Sequence, residues 1–413
     1  MKGEFIGQRV VAIAFITLMG AFGLNLAAGQ FFAPLSNSFG WSLTTISLAV
    51  SINMITWGIF QPIMGKMIDR FGPKPVIAGG ASIMGISFLL MATITEIWQF
   101  YFYYGILTAI GFAACGSMAN SVLISRWFIK KRPMMLARSS MGMNIGQLLL
   151  LPLTGFLIGT SGFKSAFLTL GLIMLIVVVP LITFMTKNEP AEVGQYPDNN
   201  EETVFSAPVS SRLSEALRNK TFWIASLGFA TCGFTLYMTT MHLPKLAVDL
   251  GGAESLGGQL LGLAAFASAI SMWLTGQWTS KFGKKRLLLT LYSIRFLSFI
   301  WLATATTVWQ LYVFAIVYGL ASMPVIPLVT GVIGERFGKN AMGLILGSVW
   351  LIHQAAAASG VFIAGYLRSI YGSYTPSIWL GAAVLAFGAL ITAFMKNDEQ
   401  QSVHPGKEML TGS

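Results

Sequence analysis

The sequence predicts an all-α membrane protein of twelve transmembrane helices arranged as two six-helix halves. Three observations predict it. The chain is 55% hydrophobic and only 10% charged, with a mean hydropathy of +0.70, whereas a soluble domain carries about a quarter charged residues. Its apolar runs, separated by charged or Gly/Pro-bearing breaks, recur at the length of roughly 20 residues that a bilayer demands. Short basic, glycine-bounded segments repeat half a chain apart.

The run 9–35 is too long for the apolar core of a signal peptide and leads directly into a second span, so it predicts a retained first helix. Runs 43–65, 74–95, 98–125, 133–160 and 164–187 complete an N-terminal bundle over residues 1–187. Within it, Pro152 lies three residues before Gly155 and permits a bend, because proline removes an i to i−4 hydrogen bond. Residues 188–219 are long, polar and poor in apolar side chains; they read as a cytoplasmic linker, partly flexible, ending in a short interfacial helix around 211–218. Runs 220–246, 255–280, 287–305, 308–334, 340–367 and 375–395 give a C-terminal bundle over 220–397, followed by a cytoplasmic tail, 398–413. Pro324 and Pro327 in "MPVIP" predict a break in helix 10 whose freed carbonyls need new partners. Cys115 and Cys232 fall singly inside spans and predict packing, with neither a disulfide nor a metal cluster.

The net charge of +11 is a topology signal. With the N-terminus cytoplasmic, the inner loops collect Lys66, Arg70, Lys74, Lys130, Lys131, Arg132, Lys281, Lys284, Lys285 and Arg286, while the outer side holds only Lys164, Lys245 and Arg368. Both termini are therefore expected in the cytoplasm. The basic excess serves the bilayer, and no nucleic-acid partner is expected.

"GKMIDRFGPKP" at 65–75 returns 211 residues later as "GQWTSKFGKKR" at 276–286. Trp98-Gln99-x-Tyr101 returns as Trp309-Gln310-x-Tyr312 at the same offset, and Gly155-Phe156-Leu157 as Gly365-Tyr366-Leu367 at 210. Parallel six-helix repeats place a solute site near the midplane between the halves.

The motif Gly65-x-x-x-Asp69-Arg70-x-Gly72-x-Lys74, between helices 2 and 3, closely resembles the signature loop of the major facilitator superfamily, and the resemblance covers essentially the whole chain. It implies that fold, a mostly monomeric protein, no cofactor, and a loop that latches the outward-facing state. Positive-inside anchoring alone would also explain the cations, but Asp69 adds nothing to such a signal. Ser280 stands where Asp69 would map in the second copy, so the charged latch is expected only in the N-terminal half.

"FGWS" at 39–42 and the helix 4–5 junction, with Trp127-Phe128, Lys130-Lys131-Arg132 and Gly142-x-x-x-Gly146, resemble the monocarboxylate-porter and oxalate/formate-exchanger branch. This implies a bacterial inner-membrane protein. Arg138 departs from the pattern. Helix 8 lacks the arginine, and helix 1 the lysine, that such porters tend to carry, which sets this chain apart from the usual proton-coupled lactate device.

Every acid falls in a loop, tail or helix end, so no mid-membrane carboxylate is available to a cationic drug or as a proton carrier. The mid-span ionisable groups are Arg295, about 15 Å into helix 9, His353 with Gln354 on helix 11, and His242 toward the outer end of helix 7. They suit a small anion, although snorkelling or interhelical bonding would also account for each. Asn25, Gln30, Asn120, Asn144, Gln147, Tyr237 and Tyr318 supply neutral hydrogen bonds, with Trp57, Trp273 and Trp350 as candidate walls. Neither H-E-x-x-H nor G-x-S-x-G occurs, so no enzyme is expected. The expectation is a secondary active transporter of a small, monocarboxylate-like organic anion, coupled to protons or to anion exchange. The alternative is an exporter of a neutral or amphipathic molecule.

Overall fold

The structure, a computed structural model, describes residues 5–200, 212–253, 256–338 and 341–395. Linker residues 201–211 and the tail assigned to 398–413 lie outside the described residues. Among the described residues, eleven helical stretches are long and apolar enough to cross a membrane. One of them, Arg132–Met185, is two spans in one, because Gly162 interrupts it with φ 80° and ψ 166°, a left-handed conformation that costs glycine little. The twelve helices are α1 (Gly7–Phe31), α2 (Leu43–Phe71), α3 (Pro73–Met91), α4 (Ile97–Trp127), α5 (132–161), α6 (163–185), α7 (Lys220–Asp249), α8 (Leu256–Phe282), α9 (Lys284–Ala303), α10 (Val308–Phe337), α11 (Met342–Tyr371) and α12 (Thr375–Ala393).

The repeat is visible in the breaks. α4 is interrupted at Gly116 and α10 at Met323–Pro324, within about one helical turn of corresponding places in the two halves. At the Gly116 break the Asn120 side-chain amide donates to Cys115 O at 2.7 Å and to Gly116 O at 3.0 Å, the latter also accepting from Asn120 N. A π-helical turn over Tyr101–Thr108 also has carbonyls bonded by side chains further up α4: Ser87 donates to Tyr103 O at 2.6 Å and Asn53 to Tyr104 O at 2.8 Å.

Within the N-terminal half α1 packs on α5, and within the C-terminal half α7 packs on α11. Gly142 and Gly146 face the backbone carbonyls of Phe15 and Met19, where a methyl group would collide; the absent side chains let the two helices touch through their backbones. The halves meet along α2/α11 and α5/α8. The end of the molecule carrying the α2–α3, α4–α5 and α8–α9 loops is here called the basic end, after its lysines and arginines, and the opposite one the far end.

The first part of the linker is fastened to the basic end. Asn188 accepts from Lys74 N at 2.9 Å, beside the left-handed turn at Gly72. The Asp198 carboxylate accepts from three successive backbone N–H groups, Ile129 (2.9 Å), Lys130 (2.7 Å) and Lys131 (3.2 Å), a concave anion-binding arrangement of main-chain donors. The partly flexible linker expected from composition is therefore pinned as far as Asn200. The short helix expected near its end is present as Leu213–Arg218.

Candidate transport cavity

A cavity of about 550 Å³ lies between the halves and occupies the far-end side of the bundle. Each of α1, α2, α4, α5, α7, α8 and α10 contributes to its wall. Apolar side chains dominate it, among them Leu26, Phe32, Met54, Leu151, Met241 and Leu261. The polar groups at its surface include Asn25, Gln30, Asn53, Asn144, Gln147, Tyr237, Ser268 and Tyr318. No charged side chain lines it among the described residues.

Several of these polar atoms are buried and lack a hydrogen-bond partner: Asn25 Oδ1, Trp57 Nε1, both side-chain atoms of Asn144, Ser268 Oγ and Tyr318 Oη. Orphaned donors and acceptors cost free energy unless a solute, water or a side-chain movement completes them. Other polar residues are already committed. Gln30 donates to Leu151 O at 3.0 Å, Gln147 to Met143 O at 3.4 Å, and the Tyr104 hydroxyl to Asn25 O at 3.0 Å.

Not all residues singled out in the sequence arrive here. Asn25, Asn144, Gln147, Tyr237 and Tyr318 line the cavity. Asn120 does not; it repairs the α4 break. His353 and Gln354 lie beneath the floor, with Nδ1 of His353 2.9 Å from Gln354 Oε1 and its ring centroid 4.1 Å from that of Phe229, the two rings tilted by 30°. Trp57 walls the cavity, Trp350 lies below it at 6.2 Å from Trp57, and Trp273 is exposed on the outer surface. His242 opens onto a separate, smaller cavity.

Arg295 is fully buried one layer behind the wall, its guanidinium carbon 5.3 Å from the centroid of the Tyr318 ring. One Nη donates to Thr235 Oγ1 at 2.6 Å and to Cys232 O at 3.3 Å, while Nε and the other Nη find no acceptor. Its positive field reaches the cavity through Tyr318 without the guanidinium touching it.

Asn53, Tyr104 and Ser268 were missed in the sequence. Asn53 was within reach, since it precedes Trp57 by one helical turn and so shares its face. Tyr104 depends on the π-helical turn, and no sequence signal announces that.

At the basic end the cavity is closed. The Asp69 carboxylate at the end of α2 accepts from Gly343 N and Leu344 N at the start of α11, both at 2.8 Å. Gly65 lies against the Gly343 carbonyl. Gly72 makes the turn into α3; Arg70 is exposed over the Phe71 ring, at 5.1 Å, and the Lys74 backbone is held by Asn188.

Two repeat-related helical bundles around a midplane cavity, closed at one end, define a membrane transporter. The sequence pattern of the Major Facilitator Superfamily matches residues 10–360 and 246–411, and the chain belongs to that family. It is 28% identical over 402 residues to the uncharacterized MFS-type transporter YcxA of Bacillus subtilis, covering 94% of this chain and 96% of that one. It is 24% identical to monocarboxylate transporter 13 of Rattus norvegicus over 93% and 87% of the two chains. Over 49% of this chain and 46% of the relative, it is 28% identical to the oxalate:formate antiporter of Oxalobacter formigenes. Among solved structures, the proton:xylose symporter XylE superposes with a TM-score of 0.76 at 15% identity, covering 95% and 96%. The Escherichia coli fucose:proton symporter FucP superposes with 0.72 at 14%, covering 93% and 98%.

Proposed function

We propose that this transporter moves a monocarboxylate with an apolar body across the membrane by alternating access. The observation that carries the reading is the pairing of an acid-free, largely apolar cavity with the buried cation Arg295 behind Tyr318. A carboxylate would accept from the orphaned donors Trp57 Nε1, Asn144 Nδ2 and Tyr318 Oη, under the field of Arg295. Its hydrocarbon part would lie against the leucine and methionine wall. The volume falls in the range of about 300–1,000 Å³ that suits ligands well above formate in size. The names of two relatives, a monocarboxylate transporter and an oxalate:formate antiporter, support an anion.

The basic excess puts the basic end in the cytoplasm and both termini with it, so the arrangement is outward-facing, with Asp69 holding the cytoplasmic side closed. The protein acts as a monomer in the cytoplasmic membrane of a bacterium. One observation favours a second reading: the cavity wall carries no charge, which would equally receive a neutral or amphipathic molecule for export.

Exchange of radiolabelled benzoate in proteoliposomes, with benzamide, lactate and oxalate as competitors, separates the two. Benzoate analogues should compete about tenfold better than the isosteric neutral amide, and Arg295→Gln should erase that preference, given about 1–2 kcal/mol for a charge at this depth. Equal competition by benzamide would replace the anion with the neutral solute.

A further inference from the structure

The C-terminal half contains a second polar region that the transport cavity does not use. A cavity of about 20 Å³ lies between α7, α11 and the start of α12, lined by Thr239, His242, Tyr374 and Ser377 among apolar neighbours. It is large enough for one water molecule. Thr239 Oγ1 is buried there, facing the Tyr318 hydroxyl.

His242 is held from both sides. Its Nε2 lies 3.0 Å from Val361 O and its Nδ1 3.3 Å from Tyr374 Oη. A carbonyl only accepts, so these partners assign the neutral tautomer: Nε2 carries the hydrogen, and the Nδ1 lone pair accepts from the Tyr374 hydroxyl. Nδ1 is therefore where a proton can be added, after which it donates to Tyr374 Oη.

The surroundings connect this site in two directions. Toward the far-end surface, Arg368 on α11 lies over the Tyr374 ring at 5.4 Å and pairs with Asp249 at 3.0 Å, and Asp249 also pairs with Lys245 at 2.8 Å. Toward the centre, the hydroxyl of Tyr318 on α10 adjoins Thr239 and Arg295, and Tyr318 lines the transport cavity. His353 reaches the cavity through Gln354 and Tyr237 but is 1% exposed and enclosed by Phe229 and Trp350, with no comparable chain of polar groups toward the far-end surface among the described residues.

We propose that His242 is a proton-binding site, reached from the far-end solution past Tyr374 and linked by one water and Thr239 to Tyr318 at the substrate. It rests on the transport reading above and adds to it the group that carries the coupled proton. The proton enters at Nδ1 with the substrate's arrival and leaves from there after release; no bond other than that N–H forms or breaks.

The chain has three histidines, His242, His353 and His404, so nitrogen-15 histidine labelling of the full protein in nanodiscs resolves them, with His242→Gln and His353→Gln for assignment. The His242 signal should change with pH while that of His353 stays fixed. A fixed His242 signal, or a titrating His353, overturns the proposal, and this arm requires no substrate. In proteoliposomes, His242→Gln should retain benzoate exchange at equal pH and lose accumulation driven by a proton gradient by about tenfold. Tyr374→Phe, which removes only a hydroxyl, should lower accumulation in the same direction. Accumulation at the wild-type level in both variants overturns the proposal. A wild type that exchanges no carboxylate overturns the transport reading instead, leaving the titration to judge His242.

Discussion

The two seams that close the basic end are related by the repeat and differ in chemistry. At α2/α11 a carboxylate accepts from two backbone N–H groups at 2.8 Å each, and Gly65 meets the Gly343 backbone. At α8/α5, Ser280 occupies the corresponding place, and its hydroxyl turns back to Gln277 O on its own helix at 3.2 Å. Gly276 there meets the Ala137 side chain and Met134. By the offset that relates Gly155 to Gly365, the counterpart of Gly343 is Pro133, which has no N–H to offer. The repeat has reproduced the shape of the seam without its strength. Among the described residues, the α2/α11 seam is held by a charge and the α5/α8 seam by contact alone.

The largest expected effect comes from removing the charge. Asp69→Ala deletes two charge-assisted bonds, each worth about 1.5–3 kcal/mol when well shielded; at this half-buried position about 2 kcal/mol in all is a fair discount. The closed arrangement of the basic end should lose about 30-fold in population. The measurement is labelling of a cysteine replacing Leu346, buried on α11 one helical turn from Gly343, by a membrane-impermeant maleimide: faster labelling in Asp69→Ala is expected, and an unchanged rate would mean that the carboxylate holds nothing. Asp69→Asn, keeping one acceptor, should fall between.

The next effect separates backbone from side-chain contact. A methyl group at Gly65 meets three backbone atoms of Gly343 and Leu344, whereas one at Gly276 meets only the Cβ of Ala137 at close range; neither neighbour can rotate away, but the second helix has to shift less. Overpacking costs about 1–3 kcal/mol where nothing yields. Gly65→Ala should therefore slow benzoate exchange by about tenfold, and Gly276→Ala by less. Equal losses would show the two seams to be mechanically alike.

How much of this was legible in the sequence follows from what a transmembrane helix displays. Span lengths, the basic end and the repeat are one-dimensional signals, and the structure returns them with one merger at Gly162. The depth of Arg295 was legible too. Its azimuth was not: helices apolar on all sides carry no amphipathic stripe to say which face looks inward, so Arg295 and His353 had the right depth and stood a layer outside the cavity. Asn120 was misjudged because the Gly116 break that claims its amide leaves no proline or charge in the sequence. Asp69 stood out as an acid at a basic end, but its partners lie 274 and 275 residues away on α11, and a backbone N–H has no letter of its own.

The smallest expected effect is the sharpest test of the asymmetry. Ser280→Asp places a carboxylate at the second seam, at the C-terminal end of α8, where the helix dipole disfavours a negative charge by about 0.3–1 kcal/mol. At the first seam that same cost, borne by Asp69 in the last turn of α2, is offset by the two N–H groups of α11. At the second, Pro133 leaves at most the Met134 N–H to accept from, so gain and cost nearly cancel. Ser280→Asp alone should change exchange by less than about threefold, and combined with Asp69→Ala it should restore little. Full rescue in the double variant would mean that the seams are interchangeable and that the lost proline N–H does not matter; absence of rescue would fix the hold on the basic end to α2/α11 alone.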